Sequence, residues 1–258
     1  MTATEETEGI TDGGQMTLVE HLNELRSRLI KSTIAVAVGA LVVWAFYHQV
    51  LEFLLEPLRE ARPDANIGIT DPLQGLATRL KVAGYGGIAL ATPVLLWQLW
   101  RFIMPGLYPK ERRYAAPFVI SGVLLFALGA GLAYWTLPRA LDFLIEIGGG
   151  EDVEILLGPD KYVQLVTYMM LAFGAGFLFP ILLVFLQLVG ALSFQRLVSW
   201  RRYAIILIVV LVAVITPSGD PISLAALSVP MYVFYEISIL LGRIITKRRA
   251  TEAAQADA

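Results

Sequence analysis

Two short charged segments, set between apolar runs, hold the residues best placed to do chemistry. The first is Thr17-Leu18-Val19-Glu20-His21-Leu22-Asn23-Glu24-Leu25-Arg26-Ser27-Arg28-Leu29. Thr17 and Glu20 have the spacing of a capping box, so a helix starts here. Leu18, Leu22, Leu25 and Leu29 make one apolar stripe. Glu20, Glu24 and Arg28 stand on neighbouring turns, a spacing that suits i,i+4 ion pairs on an interfacial helix. The second segment is Phe102-Ile103-Met104-Pro105-Gly106-Leu107-Tyr108-Pro109-Lys110-Glu111-Arg112-Arg113. Pro109 suits the first turn of a helix, and Glu111 then sits in that turn, where the helix dipole favours an anion. By residue type alone, Glu111 reads as a cap and the Arg112-Arg113 pair as a topology signal.

A third group is polar but lies in apolar surroundings. Glu236 and Gln187 fall inside hydrophobic runs, where ionisable groups are costly and functional by default. Glu236 also fits a plainer role, snorkelling or pairing with Arg243. Pro93, Pro180 and Pro230 read as kinks. The pairs Gly129/Gly131 and Gly174/Gly176 allow close helix contact. The chain has no Cys, which excludes disulfides, thiolate metal sites and Cys nucleophiles. His21 and His48 flank the first apolar run, so no shared metal site, and no cofactor, is expected. G-x-x-x-x-G-K-[ST], H-E-x-x-H and G-x-S-x-G are all missing, which argues against P-loop ATPase and common hydrolase chemistry.

The elements that must position these residues are membrane helices. Residues 32–51, 82–100, 114–138 and 162–195 contain no Asp, Glu, Lys or Arg, and 203–242 contains only Asp220 and Glu236. A helix needs about 20 apolar residues to cross the hydrocarbon. The chain is 57% hydrophobic and 16% charged, against roughly 25% charged in soluble domains. The expectation is an all-α polytopic protein with six spans, at about 30–50, 74–100, 112–137, 163–190, 203–217 and 222–243. The last two spans are short, and they are divided at Thr216-Pro217-Ser218-Gly219-Asp220-Pro221, a stretch dense in turn formers. Loops near 52–73 and 138–161 read as ordered caps. The membrane domain is expected over 17–247, with disordered tails at 1–16 and 248–258. Residues 1–16 are acidic and not hydrophobic, so no cleavable signal peptide is expected there.

Six spans put both termini on one side. Fourteen basic residues fall in the loops and tails of that side and six on the other, so both termini are expected in the cytoplasm. The spans show no convincing internal repeat, which weighs against an inverted-repeat transporter.

Taken together, the charged segments resemble the TatC subunit family of the twin-arginine protein translocase. The matching stretches are His21-Leu22-Asn23-Glu24-Leu25-Arg26-Ser27-Arg28, then Phe102, Pro105 and Leu107-Tyr108-Pro109-Lys110-Glu111-Arg112-Arg113, then Phe173-Gly174 and Pro180. Thr216-Pro217, Asp220, Pro230-Met231-Tyr232 and Tyr235-Glu236 complete the series, in family order, over about residues 16–247. The resemblance implies a receptor and not an enzyme, in a bacterial or archaeal cell membrane. It implies that Glu24 and Glu111 bind the paired arginines of a signal peptide on folded cargo, with Arg26, Arg112 and Arg113 in the same motifs. Phe102 and Leu107 match positions that receive the apolar part of the signal. Such a pairing is chemically sound, because charge-assisted bidentate bonds to guanidinium groups are strong.

The resemblance further implies docking of TatA/TatB-type single-span partners through spans five and six, self-association, and export driven by the proton-motive force. The docking residues are Ile215, Thr216, Pro217, Asp220, Tyr235 and Glu236. Residues 206–215 are uniformly apolar, as a lipid-side face for a single-span helix must be. No nucleic-acid partner is expected. One position departs from the family: Leu178 stands where many members carry a Glu, so no role for a carboxylate there carries over. The rival reading is a secondary transporter of a small solute, which needs a polar midplane site and finds only Gln187 and Glu236. A membrane scaffold is a third class.

Overall fold

The computed structural model describes residues 18–61, 71–103, 115–148, 158–216 and 219–256. Among them the chain is all-α, with eight helices. These are α1 (Leu18–Ala45), α2 (Tyr47–Ala61), α3 (Pro72–Ile103), α4 (Ala115–Ile147), α5 (Pro159–Leu188), α6 (Phe194–Ser199), α7 (Arg201–Ile215) and α8 (Pro221–Ala256). Five stretches are long and apolar enough to cross a membrane: Val19–Ala45, Leu73–Ile103, Ala115–Ile147, Pro159–Leu188 and Pro221–Lys247. At 15 residues α7 is too short to cross an average bilayer on its own. Pro93, Pro180 and Pro230 all lie inside helices that continue past them.

α1 and α3 run antiparallel in close contact. Backbones meet where side chains vanish: a Cβ on Gly39 would stand 2.7 Å from the Gly87 carbonyl oxygen, and one on Gly87 2.6 Å from the Ala40 nitrogen. α4 and α5 repeat the device. A Cβ on Gly129 would lie 2.5 Å from the Phe173 carbonyl oxygen, and one on Gly174 would meet the Phe126 ring. Of the other flagged glycines, Gly131 faces open space and Gly176 makes ordinary contact with Leu227 and Met231. Dispersion summed over such close contacts holds membrane helices together, because lipid is as apolar as their side chains.

α5 is the central post. Tyr162, Val163, Val166, Met169, Phe173 and Phe177 are all buried along it, and α3, α4 and α8 pack around it. Its outer faces are closed at one end by α2. There the Tyr162 hydroxyl donates to the Leu54 carbonyl at 2.9 Å, and Tyr134 donates to the Phe53 carbonyl and to Glu56. Phe53 stacks on Tyr134 at 4.3 Å. The segment expected as a loop cap near 52–73 is therefore largely helical up to Ala61, and the first membrane helix ends at Ala45 rather than near 50. An apolar stripe of Leu54, Pro57 and Leu58 buries α2 against the core, which its sequence spacing permits.

One expectation about the C-terminal third is corrected. The last span is not short, because its apolar part runs 27 residues, from Pro221 to Lys247. Helix α8 as a whole runs on to Ala256, with no Gly or Pro after Gly242 to stop it.

Candidate functional site

The fold gathers the N-terminus of α1 and the C-terminus of α3 at one end of the bundle. One stripe of α1 turns toward α3, made of Glu24, Arg28, Ser32, Gly39 and Val43, while Leu22, Leu25 and Leu29 point outward. Leu22, Leu25 and Leu29 are thus exposed, while Glu24 and Arg28 lie on the protein side. Glu24 Oε1 accepts from Arg28 Nη2 at 2.8 Å, and both side chains are largely covered, at 17% and 16% exposure. Glu24 Oε2 and Arg28 Nε are buried with no hydrogen-bond partner among the described residues. Beside them His21 stacks on Phe102, ring centroids 4.6 Å apart.

The two sequence segments, distant along the chain, therefore meet. Phe102 lies next to the helix that carries Glu24, and Arg26 is exposed on that helix. Leu107, Glu111, Arg112 and Arg113 lie outside the described residues. Behind Phe102, Trp100 is buried against Phe118 at 4.6 Å and Phe185 at 5.3 Å, which ties this end of α3 to α4 and α5. A covered carboxylate with one idle oxygen, beside an aromatic surface at a membrane edge, is suited to holding a guanidinium. His21 was not among the expected site residues. Its place in the motif before the first span was visible, but its ring partner was not.

At the α7–α8 hairpin the expected docking residues divide. Ile215 is half-buried, while Thr216 and Asp220 are buried, and Pro217 lies outside the described residues. Asp220 is no solvated turn residue. It accepts from the Ser223 N–H at 2.6 Å, an N-cap for α8 with Pro221 at the first helical position. Gly219 reaches it with φ of 59°, which favours glycine. Tyr235 is also turned inward, donating to the Leu197 carbonyl at 2.6 Å, which ties α8 to α6. The exposed face of α7 is instead Ile206, Leu207, Val210 and Val214, with Ile208 and Val212 buried on its inner side.

Glu236 does not pair with Arg243. It accepts from Arg201 Nη2 at 2.7 Å and from the Tyr232 hydroxyl at 3.1 Å. Arg243 lies over the Phe194 ring. Because α7 is short, its first residue comes level with the middle of α8, and the acid is met there. Arg201→Glu should loosen this hairpin, and the exchange Arg201→Glu/Glu236→Arg should restore it. A thermal-melt cycle in detergent should give a coupling of about 1 kcal/mol, as for a partly exposed pair. Simple additivity would show that the two charges act independently.

Gln187 also finds a structural role. Its amide donates to the Leu183 and Ser238 carbonyls at 3.2 and 3.0 Å, bridging α5 to α8. With Gln187 and Glu236 both engaged, the midplane site that a solute transporter needs loses the two residues offered for it. Leu178 lines an apolar groove with Leu96, Gly122, Phe179, Leu211 and Met231, so no carboxylate is replaced there by another polar group. At the opposite end Lys81 reaches Asp160 Oδ2 at 3.3 Å and Gln164 Oε1 at 3.0 Å, joining α3 to α5. Among the described residues no group of His, Cys, Asp and Glu could hold a metal ion.

Comparison with known proteins places this geometry. Residues 20–230 match the family model described as Sec-independent protein translocase protein (TatC). The chain is 38% identical over 236 residues to the Sec-independent protein translocase protein TatC of Aquifex aeolicus, covering 91% of this chain and 98% of the relative. It is 39% identical over 243 residues to the protein of the same name from Magnetococcus marinus, covering 93% and 89%. A crystal structure of the twin arginine translocase receptor TatC superposes with a TM-score of 0.74 at 38% identity, over 88% of this chain and 100% of that one.

Proposed function

The chain belongs to the TatC family of Sec-independent protein translocase proteins, membrane transport components and not enzymes, and from that premise we propose that it is the twin-arginine signal receptor and core subunit of its translocase. The observation that carries this reading is the meeting of Phe102 with the α1 segment that holds a covered Glu24. Glu24 and Glu111 bind the two arginines, Arg26, Arg112 and Arg113 flank them, and Phe102 and Leu107 receive the apolar part of the signal. Cargo is folded, and export draws on the proton-motive force. The test is complementation: expressed in cells deleted for their own such subunit, the chain should restore export of a folded reporter with a twin-arginine signal, but not of one with paired lysines. Export of neither, from protein that is inserted and stable, would remove this reading.

The chain spans the cytoplasmic membrane six times with both termini inside, α7 serving as a short fifth span. The fourteen-to-six basic bias supports that orientation. Single cysteines at Asn66 and Asp152 should label with an impermeant reagent from outside, and those at Ser199 and Thr251 only from inside. Inside labelling at position 152 would overturn this map.

TatA/TatB-type single-span helices pack on the outward face of α7, near Ile215, with Thr216, Pro217 and Asp220 as further docking residues. The support is a helix too short for the bilayer, with a row of exposed Ile206, Val210 and Val214 free to pack against a neighbouring helix. The Thr216 hydroxyl is buried and has no hydrogen-bond partner among the described residues, so a polar partner group reaching it would add about 0.6 kcal/mol. Tyr235 and Glu236 brace this face from within, and copies of the chain associate in the assembled translocase. Cysteines at 206, 210 and 214 should form disulfides with a cysteine series in the partner span. Cross-links confined to α1, α3 and α4 would place docking elsewhere.

A further inference from the structure

Arg28 already occupies the carboxylate that the signal must reach. The contact is one hydrogen bond, Nη2 to Oε1, made between residues one helical turn apart. Its unused halves, Arg28 Nε and Glu24 Oε2, are both buried and have no hydrogen-bond partner among the described residues. The pair therefore falls short of the two parallel bonds that a guanidinium and a carboxylate can share.

We propose that Arg28 is a built-in competitor for Glu24 and that every signal cation must displace it to reach the carboxylate. The inference rests on the reading of Glu24 as a receptor carboxylate. An incoming arginine free of the helix can take both oxygens of Glu24, so it gains one bond over the Arg28 contact it replaces. An incoming lysine is a point charge and makes no fork. It must evict Arg28 with no geometric gain, and it leaves a covered guanidinium without its partner. Arg28 thus acts through Glu24, lowering the apparent affinity of the carboxylate for any incoming cation rather than forming the site.

The experiment is a binding titration of the purified full chain in detergent, with signal peptides carrying Arg-Arg, a single Arg, or Lys-Lys at the paired position. Arg28→Gln should tighten all three peptides by a like factor, roughly two- to fivefold, the worth of a partly exposed ion pair. Arg28→Lys, which keeps the charge but not the fork, should lie between Arg28→Gln and the parent, and serves if Arg28→Gln inserts poorly. Weaker or unchanged binding of the peptides to Arg28→Gln overturns the proposal. Glu24→Gln is the separate control. If it leaves Arg-Arg binding intact, the receptor reading of Glu24 fails, whatever Arg28→Gln does.

Discussion

Replacing Glu24 and Glu111 together by alanine should abolish binding of a twin-arginine signal peptide while leaving the protein in the membrane. Removing one partner of a charge-assisted bond costs about 1.5–3 kcal/mol, or roughly 10- to 150-fold in affinity. Two such losses on one ligand compound, and the ligand then offers two guanidinium groups to an edge that has lost both carboxylates of the pair. Glu24 is only partly exposed, so its contacts are made in a medium where charge pairs count for more than in water. Glu111→Lys should be severe even alone, because it turns attraction into repulsion. Membrane insertion should survive, since the long apolar runs that carry the helices into the membrane are unchanged. Cross-linking of a radiolabelled signal to the double variant is the measurement. Normal yield would sink the pairing.

The second large effect is on assembly of the fold. Gly129→Leu should prevent α4 from seating on α5. Even a Cβ at that position would stand 2.5 Å from the Phe173 carbonyl oxygen and 2.8 Å from its carbon, and both atoms are backbone in a helix that cannot give way. Overpacking against flexible side chains costs typically 1–3 kcal/mol, and a collision with backbone lies at the upper end or beyond. Gly131→Leu, on the same helix, is the paired control, because nothing lies within 4 Å of a Cβ there. Inserted yield and melting temperature in detergent should fall sharply for the first variant and little for the second. Equal behaviour of the two would mean that the α4–α5 seam is looser than described.

Much of this was legible in the sequence, and the exceptions have physical causes. Long charge-free runs announce membrane helices because hydrocarbon tolerates nothing else. The short α7 followed from the turn formers at 216–221. The entry helix at Glu24 followed from its capping box, and the i,i+4 spacing already pointed to the Arg28 pair. Composition could not say which glycines face a neighbour. Gly129 and Gly131 are alike in sequence and opposite in role, since two residues on a helix turn through slightly more than a half circle. Nor could it find the partner of Glu236. Arg243, one face along the same helix, was the nearest cation in sequence, whereas Arg201 arrives only because the short α7 folds back beside α8. Asp220 reads as a turn residue until the N-cap of α8 is seen. Tyr235 carries a family motif, yet its hydroxyl is spent on the Leu197 carbonyl.

The central claim, a twin-arginine receptor built where α1 meets α3, is tested most directly by a photocross-linking residue placed at Phe102. The probe keeps the bundle intact and reports only what comes within reach of the His21 side of the site. A precursor with an intact Arg-Arg signal should cross-link there, and the yield should collapse for a Lys-Lys signal and for Glu24→Gln. Equal yields from Arg-Arg and Lys-Lys precursors, or cross-linking that is indifferent to Glu24, would contradict the account.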